Sequence, residues 1–346
     1  VAARRHRAIG LLPDGGQTGA PAAVGSSGGA RVIVTLTPNP SLDRTLEVPD
    51  LRPGSVIRAT DSRLDPGGKG VNISRALAAN GHRTVAVLPC GGIEGKQLAE
   101  LLASEGVEVV TIPIADSVRV NISVVEPDGT VTKLNAAGPR LSATEIDALA
   151  AATCTTAKGV RWVALAGNLP RGAPVDLYAH LVSRLRGSGA PRIAVDSSGA
   201  PFAAALPAGP DLVKPNRGEL AEAAGMPVTT LGEAVTAANV LRARGARTVL
   251  ASLGRDGALL VGDSNVLHGE QRVAVPRSTV GAGDALLAGY LAATTEGPGA
   301  LAEALAWGAA AVSQPGSGMP GQWDLDRSAV VVRHRIESDR PISERN

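Results

Sequence analysis

Beyond a Gly/Ala/Ser/Pro-rich start, apolar positions along the chain follow two alternating rhythms. RVIVTLTP (31–38), TVAVLP (84–89), VEVVTIPI (107–114), RWVALAG (161–167), RIAVDSS (192–198), DLVKPN (211–216) and TVLASLG (248–254) are short β-branched runs that end in turn residues. Such runs predict buried strands. Between several of them lie stretches with helical spacing: KGVNISRALAANG, KQLAELLASEG, SATEIDALAAAT, DLYAHLVSRLRG and TLGEAVTAANVLRARG. Ser142 and Glu145 predict a capping box at the start of the third. Strands alternating with helices predict an α/β fold: a Rossmann-like, mostly parallel sheet flanked by helices, with ligands beyond the carboxyl ends of the strands.

Two segments, 46–65 and 118–135, alternate with a period of two instead. The second carries Glu-Pro-Asp-Gly, in which Pro sets φ and Gly takes the positive-φ position of a hairpin turn. Both predict antiparallel strands that project from the main sheet as a small lid. Residues 1–30 have no periodicity and read as a disordered tail, and 326–346 read as a C-terminal tail around a 31–325 domain.

The chemistry concentrates where strands hand over to glycines. STVGAGDALLAGYLAA (278–293) runs from a Gly-Ala-Gly turn into an apolar helix. Gly281, Ala282 and Gly283 would leave bare N–H groups at a helix N-terminus, which is an anion site. Asp284 beside it cannot bind that anion, but it can take a proton from a hydroxyl attacking it. GGKGVN (67–72) opens another helix, with Gly67 and Gly68 allowing close approach and Asn72 offering a donor and an acceptor. Asp43, in the Pro/Asn turn of TPNPSLDRT, can take two sugar hydroxyls. Asn216 and Glu219 of KPNRGE are hard oxygen donors suited to Mg²⁺, directly or through water. The turn Ser252, Leu253, Gly254, Arg255, Asp256, Gly257 can wrap a phosphate. Were the lid to close, Arg58, Arg119 and Lys69 would converge as a cationic clamp on a substrate phosphate.

Composition removes several function classes. The 34 basic and 32 acidic residues nearly cancel and aromatics are 2% of the chain, so nothing suggests nucleic-acid binding. Two cysteines allow no disulfide framework, and the five histidines have no metal-type spacing. No apolar run approaches the roughly 18–20 residues that span a bilayer, so a cytoplasmic protein is expected. Neither CGGIEGKQ (90–97) nor GSGMPG (316–321) qualifies as a phosphate or dinucleotide loop: the first lacks the leading Gly and the hydroxyl, and the second follows a helix.

With GGKGVN, STVGAGD, TPNPSLDRT, VDSSG (195–199), LVKPNRGEL and QPGSGMP (314–320) in this order, residues 31–325 resemble the ribokinase (PfkB) family of carbohydrate kinases. The resemblance implies a ribokinase-like fold and ATP-dependent phosphorylation of fructose 1-phosphate at O6, with tagatose 6-phosphate and fructose 6-phosphate as alternative substrates. A non-catalytic sugar-phosphate sensor is the alternative of another class. The resemblance further implies Asp284 as catalytic base, the 281–283 amides as anion hole, and Asp43, Gly68 and Asn72 on sugar hydroxyls. Arg58 and Arg119 would lie near the sugar phosphate, and Lys214, Asn216, Glu219 and the 252–257 turn on the ATP–Mg²⁺ side. A monovalent cation such as K⁺ near 278–284 and 314–320, and a homodimer joined through the lids, are also implied. One departure stands out: GNLP (167–170) puts Asn168 where a serine of GSLP would face the substrate phosphate.

Overall fold

The structure, a computed structural model, describes residues 32–187, 191–263 and 265–343. The expectation of a disordered tail at 1–30 therefore lies outside the described residues. In chain order the elements are β1 (Ile33–Leu36), β2 (Ser41–Glu47), β3 (Asp61–Gly67), α1 (Lys69–Ala79), β4 (Thr84–Cys90), α2 (Gly92–Ser104), β5 (Glu108–Pro113), β6 (Arg119–Val125) and β7 (Val131–Leu134). There follow α3 (Ala143–Thr156), β8 (Trp162–Ala166), α4 (Leu177–Gly187), β9 (Arg192–Asp196), α5 (Gly199–Ala205), β10 (Leu212–Val213), α6 (Arg217–Ala224) and α7 (Leu231–Ala243). The last are β11 (Thr248–Ser252), β12 (Ala258–Val261), β13 (Val266–Glu270), α8 (Ala282–Ala292), α9 (Pro298–Val312) and β14 (Val331–Arg333).

The main sheet has the order β14-β13-β12-β11-β10-β9-β8-β1-β4-β5. From β5 to β11 neighbouring strands are parallel, and β12, β13 and β14 add antiparallel pairs. Strands buried on both faces are apolar at most positions, the pattern a parallel sheet requires, with buried exceptions at Thr35, Thr84 and Asp196. Along β8, Val163 and Leu165 enter one core with α3, α4 and α7, while Trp162 and Ala164 enter the other with α1, α8 and α9. A third, smaller core joins α2 to the base of the lid through Leu42, Leu98, Leu102 and Val118. Chain order reverses between β8 and β1, so a crevice opens there beyond the strand carboxyl ends.

The lid is a four-stranded sheet of order β3-β2-β6-β7. Its first half is not continuous over 46–65: β2 begins at Ser41, and 48–60 is mostly irregular before β3 pairs back. Asp43 therefore sits inside a lid strand rather than in a Pro/Asn turn. Of the C-terminal tail expected at 326–346, the described residues 326–343 are tied to the domain, because β14 adds to the main sheet against β13 and Ile342 is buried. Strands β12 to β14 are runs of three to five residues, too short for hydrophobic period alone to separate from loop.

Candidate active site

The crevice is built from helix starts. Gly68 caps α1 at φ +116° with no side-chain cap, so the chain can swing directly from β3 into the helix. A side chain at Gly68 would meet the Thr37 methyl at 2.8 Å, and one at Gly67 would meet Asp43 Oδ2 at 2.3 Å. The pair is bare because the lid carboxylate and the β1–β2 loop lie against it. One turn on, the Asn72 Nδ2 amide donates to Asp284 Oδ2 at 2.8 Å.

Asp284 lies in the first turn of α8, whose cap, Gly281, is left-handed at φ +76°. Here too no side chain caps the helix, so the Gly283 and Asp284 amides find no carbonyl within it. Met319 covers Gly281: a Cβ there would stand 2.7 Å from Met319 Cε. Lys214 lies on the other side, its Nζ 3.2 Å from where a Cβ of Gly283 would be. An ammonium and uncapped amides thus share one helix end, which is a strong anion site.

A buried charge cluster lies behind this helix end. Asp196, at the end of β9, is fully buried; its Oδ1 accepts from Lys69 Nζ at 2.7 Å, and Lys214 Nζ lies 3.2 Å from Oδ2. Lys69 also reaches Glu219 Oε1 at 3.4 Å. Burial lowers the Lys69 pKa, but Asp196 and Glu219 outweigh it and hold the ammonium charged. The opposite balance holds at Asp284: burial and the neighbouring Asp196 push its pKa up to about 6, against the pull of Lys214, Asn72 and Lys69. Such a carboxylate is ionised at neutral pH and still basic enough to take a hydroxyl proton.

On the lid side, Asp43 Oδ1 accepts from Ser41 Oγ at 2.7 Å and from Asn121 Nδ2 at 2.9 Å. Thr37 Oγ1, Asn39 Oδ1, Asn72 Oδ1, Asn121 Oδ1 and Arg119 Nε are buried without a partner. Buried polar atoms are normally satisfied, so orphans beside Asp43 and Asp284 suit a ligand rich in hydroxyls. Arg75 ties the surroundings together: its guanidinium holds Glu105 at 2.7 and 3.0 Å and donates to the carbonyls of Pro66 and Ser317, both at 3.1 Å.

Other expected site residues lie differently. Arg58 is exposed, with no hydrogen-bond or ion-pair partner among the described residues. Arg119 donates to the Asn39 carbonyl at 3.2 Å, while Lys69 is committed to two carboxylates, so the three do not assemble as one clamp. Asn168 is exposed, and its Oδ1 accepts from Ser198 Oγ at 3.3 Å. Asn216 and Glu219 form a capping box on α6: Asn216 Oδ1 accepts from the Glu219 amide at 2.9 Å, and Glu219 Oε2 accepts from the Asn216 amide at 2.8 Å. With Glu219 Oε1 on Lys69, the two do not fit as a direct Mg²⁺ ligand pair, and the described residues hold no group of three acidic, His or Cys side chains able to cage a metal. In the 252–257 turn, Asp256 points inward and accepts from the Ser343 amide at 2.7 Å, leaving chiefly backbone to meet a phosphate.

Sequence patterns alone assign no role to Asp196, Thr37, Asn39 or Asn121. Asp196 stands in VDSSG and the next two in TPNPSLDRT, both among the motifs that carry the resemblance, but only the fold brings them to the crevice.

A model of the "pfkB family carbohydrate kinase" matches residues 37–322. The 1-phosphofructokinase of Rhodobacter capsulatus is 39% identical over 268 residues, 77% of this chain and 84% of that protein. The ATP-dependent 6-phosphofructokinase isozyme 2 of Escherichia coli is 35% identical over 258 residues, 74% and 83% of the two chains. The crystal structure of Escherichia coli phosphofructokinase-2 in complex with potassium superposes with a TM-score of 0.80 at 32% identity, covering 84% of this chain and 96% of that one. By its fold and by the extent of these matches, the chain belongs to the PfkB family of carbohydrate kinases.

Proposed function

We propose that this protein is an ATP-dependent 1-phosphofructokinase, transferring a phosphoryl group to O6 of fructose 1-phosphate. The observation that carries the reading is Asp284: a buried carboxylate of raised pKa, held by Asn72, on the first turn of a helix whose amides and Lys214 await an anion. Several relatives named 1-phosphofructokinase, at 36–39% identity, support this substrate.

Phosphoryl transfer asks mainly for positioning and for stabilisation of the equatorial oxygens. Asp43, with Asn121 behind it, and the unpaired oxygens of Asn39 and Asn72 hold the sugar hydroxyls. The free Oδ1 of Asp284 accepts the O6 proton as that oxygen attacks the γ-phosphorus. The new O6–P bond forms as the bridging P–O bond breaks, its electron pair leaving with ADP. Amides at 281–283 and the Lys214 ammonium meet the charge gathering on the phosphoryl oxygens. Asp196 fixes Lys69 and Lys214 and adds to the burial that keeps the Asp284 pKa high. Arg119 is the better-placed cation for the sugar phosphate, with its buried Nε unpaired, and Asn168 offers an amide at the rim. The 252–257 backbone faces the nucleotide. Mg²⁺ would rest on the nucleotide's own oxygens, with Glu219 contributing at most through water. A monovalent cation by the 278–284 and 314–320 loops and a homodimer through the lids belong to the same reading. Escherichia coli phosphofructokinase-2, a relative of the same fold, has an inhibited form that is tetrameric.

The test is ATP- and Mg²⁺-dependent kcat/KM on fructose 1-phosphate, tagatose 6-phosphate and fructose 6-phosphate side by side. A preference of about 10²-fold, some 2.7 kcal/mol of differential transition-state binding, is expected for fructose 1-phosphate. A preferred 6-phosphate would keep the kinase and move the phosphate site. Inactivity on all three would favour a sensor.

A further inference from the structure

The 252–257 turn is not anchored by its own loop alone. Gly257 stands at φ +84° with no room for a side chain, since a Cβ would meet the Gly269 carbonyl oxygen at 2.0 Å. The Asp256 carbonyl is 2.8 Å from Nε2 of the buried His268. The turn therefore leans on β13, whose last residue is Glu270. Glu270 in turn is gripped from the C-terminal segment: Arg333 donates to Oε1 at 2.7 Å and Arg340 to Oε2 at 2.8 Å. The same Arg340 nitrogen lies 3.8 Å from Asp256 Oδ1, while the Ser343 amide donates to Asp256 Oδ2 at 2.7 Å.

The segment is itself fastened down. The Leu231 amide donates to the Arg340 carbonyl at 3.0 Å, Gly232 to that of Ser338 at 2.9 Å, and Ile342 to that of Thr229 at 2.7 Å. The Ile342 side chain enters the core beside α7. Asp256 is buried with its carboxylate turned to this segment, so Arg340 is the counter-charge shared by the turn and the strand behind it. All of the segment lies beyond the stretch that matches the kinase family.

We propose that residues 331–343 act as a strap, with Arg340 as its positioning residue, holding the 252–257 turn in the shape that receives the nucleotide. Among the described residues the strap's hydrogen bonds and ion pairs go to β13, the start of α7 and the 252–257 turn and none to the lid or Asp43, so its effect falls on ATP and not on the sugar. The proposal rests on the reading that this turn faces the nucleotide.

The experiment is steady-state kinetics on the full chain carrying Arg340→Ala, Arg340→Lys, Asp256→Asn and the double variant Arg340→Ala/Asp256→Asn. Arg340→Ala is expected to raise KM for ATP about fivefold or more, a coupling typical of groups in one network, with kcat and KM for the sugar phosphate within about twofold. Arg340→Lys restores most of it, and the double variant is no worse than the poorer single one. An unchanged KM for ATP in both single variants, or a parallel loss in both substrates and kcat, overturns the strap; should Arg340→Ala fail to fold, Arg333→Ala, which releases the same Glu270 from the segment, carries the same comparison. Gly254→Ala, which strains the turn at φ +62°, separates the two readings. If it raises KM for ATP while the strap variants do not, only the strap falls. If none of them moves KM for ATP, the turn does not face the nucleotide and both fall.

Discussion

At Asp284, two opposing influences decide the chemistry. Burial and Asp196 favour the neutral acid, while Lys214, Asn72 and Lys69 favour the anion, and the first pair wins. Asp284→Asn keeps the shape and the contact with Asn72 but removes the proton acceptor. Turnover should fall by about 10² or more, the usual worth of a positioned base, with KM for ATP little changed; near wild-type turnover would remove Asp284 from the reaction. Because its pKa is raised to about 6, the working anion is present above that pH and lost as pH falls through it. The log of kcat/KM should accordingly rise with unit slope below about 6 and level above it, and the residual activity of Asp284→Asn should lack that limb. A profile flat from pH 5 to 8 would show that no such group titrates. Asp284 and Asn72 are legible in the sequence because glycines beside a helix start announce an anion site and a close approach, whereas Asp43 is singled out there only as a carboxylate in a turn that the structure replaces by a lid strand. Asp196 is not: a carboxylate ending a strand means little until Lys69, 127 residues away, is folded against it.

Local backbone logic can outweigh donor chemistry across a whole element. Asn216 and Glu219 read as hard oxygen ligands by residue type, yet Asn-x-x-Glu before a helix is also a capping box, the same signature that Ser142 and Glu145 carry on α3. The structure uses it as a cap, because the first amides of α6 need acceptors whether or not a metal is near. Asn216→Ala should therefore lower stability by about 1 kcal/mol, read by chemical denaturation, and leave the Mg²⁺ concentration for half-maximal activity unchanged. A large rise in that concentration with no loss of stability would restore Asn216 as a ligand. The same distinction explains the lid's first half. Pro and Asn ahead of Asp43 point to a turn, but its register opposite Asp65 and Asn121 commits it to β2. Register is a tertiary fact, and local turn residues do not report it.

Over the whole molecule, the lid sheet has two unlike faces. Cross-strand partners share a face, so the register puts Asp43, Asp65 and Asn121 into one alternating set, toward the crevice, and Leu42, Leu46, Leu64, Ile122, Val124 and Leu134, with one charge at Arg44, into the other. Leu42 and Leu64 of that second set pack on the core at the lid's base. Leu46, Ile122 and Leu134 belong to no core cluster, and Leu134 is 58% exposed. A mostly apolar sheet face, half-buried at Leu46 and Ile122 and exposed at Leu134, is what a second copy would cover more fully, and this is the physical ground for the proposed homodimer through the lids. The wild-type chain should run as a dimer in light scattering at micromolar concentration, and Ile122→Glu, which puts a charge into that face without touching the crevice side, should run as a monomer. Because β6 carries Ile122 on one face and Arg119 and Asn121 on the other, a lid without its partner should hold the sugar less firmly, raising KM for the sugar phosphate more than KM for ATP. A monomeric wild type, or an Ile122→Glu chain that stays dimeric, would mean that the face is left open to solvent and that the lid closes on the strength of α1, α2 and the Arg75 contacts alone.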